Sequence, residues 1–156
     1  MNKMLPFAAA LALALIPPSA FAQAAQVDLQ GEVKLEKTVV ENGQSRLALL
    51  DPKVVVPGDR LVFSTRYQNK GATSVQNFVV TNPVPAAVTL APDTAADLDV
   101  SADGGKSWGR LAALTVADGK GGRRPARFED VTHIRWTIPA IAAGGIGKVE
   151  YHAIVR

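Results

Sequence analysis

The chain's only imidazoles are His133 and His152, and it contains no cysteine. Glu150 and His152 stand two residues apart on one side of a strand-like pattern, where they could begin a metal site or an acid/base pair. Two ligands do not close a tetrahedral site, and with Lys148 beside them they read as a solvated strand face. Asp97, Asp99 and Asp103 could offer oxygens to calcium, but the twelve-residue loop with its closing glutamate is absent, so turn capping is expected of them. Glu129 and Asp130 are chain neighbours, which point apart rather than converge on a substrate. Neither a Gly-x-Ser-x-Gly elbow nor a glycine-rich phosphate loop occurs. The only methionines, Met1 and Met4, lie at the amino terminus, so the rest of the chain offers no sulfur ligand for a soft metal. The reading is a protein without enzymatic activity, cofactor or metal.

Two further sets of residues could make contacts rather than chemistry. Lys120, Arg123, Arg124 and Arg127 give a glycine-rich stretch, Ala117 to Asp130, four cations that could meet an acidic partner or an anionic headgroup. They are the candidate partner-binding residues. No aromatics are interleaved with them, and 17 basic against 14 acidic groups leave the chain near neutral, which excludes a nucleic-acid platform. Trp108 and Trp136 are the two indoles. Either could stack on a sugar ring, so a carbohydrate-binding protein is the alternative reading.

The elements that must carry these residues are strands. Val27, Leu29, Gly31, Val33 and Leu35 alternate with Asp28, Gln30, Glu32, Lys34 and Glu36, which gives one buried and one wet face. Glu41-Asn42-Gly43-Gln44 is a hairpin signal, with Ser45 to Leu50 as the return strand. Pro57-Gly58-Asp59 turns into a strand from Leu61 to Gln68, in which Leu61, Phe63, Thr65 and Tyr67 share a face. Ser74 to Thr81 follows, closed by Asn82-Pro83-Val84-Pro85. Shorter strands are expected at Val88 to Leu90, Leu98 to Ser101 and Ser107 to Leu111, the last two joined by Asp103-Gly104-Gly105-Lys106. Ala117 to Asp130 reads as one long loop before Val131 to Ile138 and Gly147 to Val155. The expected core comprises Leu61, Phe63, Tyr67, Val79, Ile134, Trp136, Val149 and Tyr151. Many short strands, glycine and proline turns and no helical periodicity predict an all-β fold, an immunoglobulin-like antiparallel two-sheet sandwich.

The first 22 residues stand apart. Lys3, an apolar run from Leu5 to Ile16, Pro17-Pro18 and then Ala20-Phe21-Ala22 read as a secretory signal with a small-x-small cleavage site. The run is too short to span a bilayer, and no later stretch approaches spanning length. Residues 1–22 are thus expected to be a signal peptide and 23–156 a single domain. That product is expected to be exported to the periplasm or cell surface, with no membrane span after processing and a protein partner in the envelope.

Two stretches resemble known motifs. Val54 to Leu90, with Pro57-Gly58-Asp59, the aromatic-bearing strand, Asn69 and Gly71 in the next turn, Val79-Val80-Thr81 and Val84-Pro85, resembles the bacterial conserved-repeat domain known as domain of unknown function eleven. Asp103-Gly104-Gly105, Ile134-Arg135-Trp136, and Pro139 with Gly144-Gly145 continue the likeness, here in a single copy. The resemblance implies an immunoglobulin-like module of the cell envelope and names no activity. Ser101-Ala102-Asp103-Gly104-Gly105-Lys106-Ser107-Trp108 is similar to the Asp-box hairpin of secreted β-proteins, in which an aspartate accepts backbone N–H groups across a turn and a tryptophan packs beneath it.

Overall fold

A computed structural model of the protein describes residues 26–94 and 98–156. The signal-peptide reading and Asp97 lie outside the described residues. Ten strands form two main antiparallel sheets and one small hairpin. The larger sheet runs β2 (Gln44–Leu50), β1 (Val27–Glu41), β3 (Arg60–Asn69), β10 (Ile146–Val155), β5 (Val88–Leu90). The smaller runs β4 (Val75–Pro83), β9 (His133–Ile141), β6 (Asp99–Ser101). This is the all-β antiparallel two-sheet sandwich expected of the pattern. With β2 set aside as an extension of β1, the sheets hold four and three strands, the division of immunoglobulin-type sandwiches, with the last strand β10 seated between β3 and β5.

Local chemistry explains the larger sheet. Asn42 and Gly43 both take positive φ, 51° and 75°, which a two-residue hairpin turn with the twist of its strands requires. Gly58, at φ 91°, turns the chain into β3. Register follows the alternation: Val33 pairs Phe63 and Leu35 pairs Leu61, while across β3 Phe63 pairs Tyr151 and Leu61 pairs Ala153. These side chains face the smaller sheet and meet Val100, Val131 and Ile134 in one core. Phe63 and Tyr151 stack with centroids 4.7 Å apart and planes 6° from parallel.

The structure corrects three expectations. Val79 is 48% exposed, whereas Val80 is fully buried. Phe78, Val80 and Asn82 therefore make the inner face of β4, and the Asn82 amide donates to Thr65 Oγ1 at 2.7 Å across the two sheets. Ser107 to Leu111 is not a strand: only Gly109 bridges to Val100, and Leu111–Ala113 is one turn of 3₁₀ helix. Ala117 to Asp130 is not a featureless loop either. Arg123–Pro125 forms β8, paired to β7 (Thr115–Ala117), and Phe128–Asp130 is a second 3₁₀ turn. Of the remaining expected core residues, Leu61, Ile134 and Tyr151 are buried, while Phe63, Tyr67, Trp136 and Val149 are half-buried.

Candidate partner-binding edge

Two of the four cations of the candidate site are engaged within the fold. Arg123 turns back onto its own hairpin, its Nε donating to Thr115 Oγ1 at 2.7 Å and a terminal nitrogen to the Thr115 carbonyl at 2.5 Å. Arg124 makes a two-pronged pair with Asp130, at 2.6 and 2.8 Å. Asp130 in turn accepts the backbone N–H of Arg127 at 2.8 Å and so closes the second 3₁₀ turn. Of the four, only the side chains of Lys120, at the hairpin tip, and Arg127 have no hydrogen bond or ion pair among the described residues; the Lys120 backbone N–H donates to Asp118 Oδ1 at 2.7 Å.

The Arg124 guanidinium holds the Asp130 carboxyl down at about 2. An aspartate in an unfolded chain titrates near 3.9, so this pairing stabilises the fold fully above about pH 4 and is lost as pH falls towards 2. Acid melts should therefore show Arg124→Ala less stable than the parent at neutral pH, by a few degrees, with the two curves converging near pH 2. A constant gap down to pH 2 would refute the pairing as its cause.

The other singled-out residues serve the fold. Asp103 Oδ1 accepts the backbone N–H groups of Lys106 and Ser107 at 3.1 and 2.9 Å, and Oδ2 accepts the Ser107 hydroxyl at 2.6 Å. These bonds, the Ser107 hydroxyl foremost, hold the Asp103 carboxyl well below the usual carboxylate range. Ser101 Oγ donates to Asp103 and accepts Gly105 N–H, and Trp108 Nε1 donates to the Gly105 carbonyl at 2.9 Å. The Arg135 guanidinium lies 4.6 Å from the Trp108 ring centroid, and Trp136 packs on the core beside Tyr151. Asp99 pairs with Arg135 at 3.3 Å.

On the outer face of the larger sheet Glu150 pairs with Lys148 at 2.6 Å and accepts from Ser64, while His152 meets Arg60 and lies 3.6 Å from Asp93. Glu150 and His152 are thus partnered separately. His133 packs edge-on to Trp108. Among the described residues no group of three or more His, Asp or Glu is placed to hold a metal.

What sequence reasoning missed is an opening in the side of the sandwich. β2 ends at Leu50, opposite Leu35, so the edge of β1 over residues 27–34 that faces away from β3 has no strand partner among the described residues. Beside it, between β1 and the end of β4, lies a cleft of about 230 Å³ lined by Gly31, Val33, Phe63, Pro83, Pro85 and Tyr151, with the Thr65–Asn82 hydrogen bond at its floor. Gly31 keeps it open, because a β-carbon built there would meet nothing within 4 Å. The signal was in plain view, since Gly31 is the one member of the inward series Val27, Leu29, Gly31, Val33, Leu35 without a side chain. Pro83 and Pro85 also lack the N–H groups that would let β4 continue as a paired strand. A larger apolar cavity, about 340 Å³, lies between β5, β6 and the 3₁₀ turns. Thr94 and Leu98, which flank residues outside the described ones, form part of its wall.

Comparison with protein-family models, with curated proteins and with solved structures finds no match to this chain. Among the described residues no helix is long and apolar enough to cross a membrane.

Proposed function

We propose that the protein is an exported, non-enzymatic binding module of the cell envelope that takes an extended segment of a protein partner along the free edge of β1. The observation that carries this reading is the pairing of an open strand edge with an apolar cleft. Backbone N–H and C=O groups along β1 supply sequence-independent hydrogen bonds, and the cleft over Phe63 and Tyr151 receives an apolar side chain of the added strand. The signal-like amino terminus and the resemblance of Val54 to Leu90 to an envelope repeat module support the location. The carbohydrate reading has less support, because Trp108 is engaged by Gly105 and Arg135, and Trp136 leans on the core.

Gly31→Leu is the direct test, since a β-carbon at this strand position meets nothing within 4 Å and the rest of a leucine side chain would extend from it into the cleft. Capture of envelope proteins by the tagged protein should fall at least about tenfold for the partner concerned, with the melting temperature held. Lys120→Ala with Arg127→Ala should leave capture unchanged. If Gly31→Leu retains every partner while the double variant loses one, contact runs through the basic hairpin and the β1 reading falls.

A further inference from the structure

β1 continues for five residues past its last pairing with β3, at Glu36, and with β2 it forms a two-stranded ribbon. One face of that ribbon carries Val40, Leu47 and Leu49, which are 72%, 67% and 56% exposed. Leu50 and then Val54, Val55 and Val56, in the segment that follows, are exposed too. Leu50, paired with Leu35, lies on the ribbon's opposite face. β2 is also an undefended edge. Gln44–Leu50 contains no proline, lysine or glycine, and its single charge, Arg46, is already paired with Glu41 at 2.6 Å.

We propose that a second copy of this chain pairs with the free edge of the ribbon, β2 lying antiparallel to β2 across a two-fold axis at Leu47. In a two-residue hairpin the residues flanking the turn, here Glu41 and Gln44, form a hydrogen-bonded pair, so alternation directs the backbone groups of Ser45, Leu47 and Leu49 away from β1. That outward set is symmetric about Leu47. Setting Leu47 against Leu47 of the second copy, and Ser45 against its Leu49, satisfies the outward N–H and C=O groups of both strands. It also merges the two Val40–Leu47–Leu49 faces into one apolar strip. A bilayer could cover the side chains but would leave those backbone groups unpaired, which favours a strand as the occupant. The second copy's turn falls beside Asp51, so the β1 cleft stays open, and the contact stands independently of the partner-binding proposal.

The chain has no cysteine, which makes the register directly measurable. Hydrogen-bonded residues facing across antiparallel strands have Cα atoms about 5.5 Å apart, within disulfide reach. Mild oxidation of Leu47→Cys should give a covalent dimer, whereas Ser45→Cys, displaced from the axis, should stay monomeric. Sedimentation should show the unmodified protein dimerising at micromolar concentration, and Leu47→Lys should weaken that association at least about 100-fold at an unchanged melting temperature. A monomer at every concentration overturns the proposal, as does cross-linking of Ser45→Cys as efficient as that of Leu47→Cys. So does a monomer that instead binds phospholipid vesicles or a different protein through Leu47.

Discussion

Ile134→Ala is expected to lower the unfolding free energy by about 4 kcal/mol, a large share of the roughly 5–15 kcal/mol that holds a domain of this size. Ile134 is fully buried in β9, the central strand of the smaller sheet, where Asn82 of β4 and Val100 of β6 flank it. It packs into the core shared with Leu61 and Tyr151 of the facing sheet. Truncation leaves a cavity with sheet on both sides, and backbone ladders hold those walls apart, so collapse recovers little of the loss. Val79→Ala, on the exposed side of β4, should cost no more than about 0.5 kcal/mol. Denaturant melts of the two variants test the register as well as the magnitude. A slip of one residue in β4 exchanges its faces and would make Val79 costly, and equal losses for the two variants would discard the inner face drawn here.

β1 and β3 were legible because each faces the core on one side only, so their alternation survives in the residue types. β4 was not, because Val79 and Val80 are adjacent and equally apolar. What selects between them is Asn82, a polar residue that faces inward because Thr65 of the opposite sheet receives its amide. That partner lies 17 residues away and has no local signature. The capping role of the Asp103 carboxylate was readable, since all its own partners lie within four residues, whereas the Gly104 N–H bond to Thr132 Oγ1, 28 residues away, was not.

The strands and pairing of the basic hairpin were not legible, for the opposite reason. β7 and β8 have three residues each, too few to show a period. Arg124 is drawn inward by Asp130, an acidic residue that the sequence reading placed in the same loop but did not pair with it. The β1 cleft was half legible. Gly31 announces a missing side chain, but that the gap is left unfilled follows from a three-stranded sheet facing a five-stranded one, a property of the assembled sandwich.

Asn69→Ala should cost about 3 kcal/mol although it removes no apolar surface of consequence. Asn69 is fully buried at the end of β3. Its amide nitrogen donates to the carbonyls of Thr73, Ile141 and Ala142 at 2.8, 3.0 and 3.0 Å, and its Oδ1 accepts Gly71 N–H at 2.9 Å. One side chain thus fastens the β3–β4 turn to the β9–β10 turn, where the Asn69 backbone N–H also donates to Gly145. Thr73 and Ala142 are exposed residues, so alanine leaves chiefly the buried Ile141 carbonyl and the Gly71 N–H short of a partner, and each such group costs about 1–3 kcal/mol. Asn69→Asp should be worse at neutral pH, because a carboxylate would set an anionic oxygen against the same carbonyl groups. Such a carboxyl is raised above its unfolded value, so the folded state of Asn69→Asp binds more protons than the unfolded one. Its stability should therefore recover as pH falls through that raised value, in the opposite direction to the Arg124–Asp130 pair. Urea melts between pH 4 and 7 read both effects. A loss below about 1 kcal/mol for Asn69→Ala, or an Asn69→Asp variant whose deficit does not shrink in acid, would show that the two turns are held by their backbones alone.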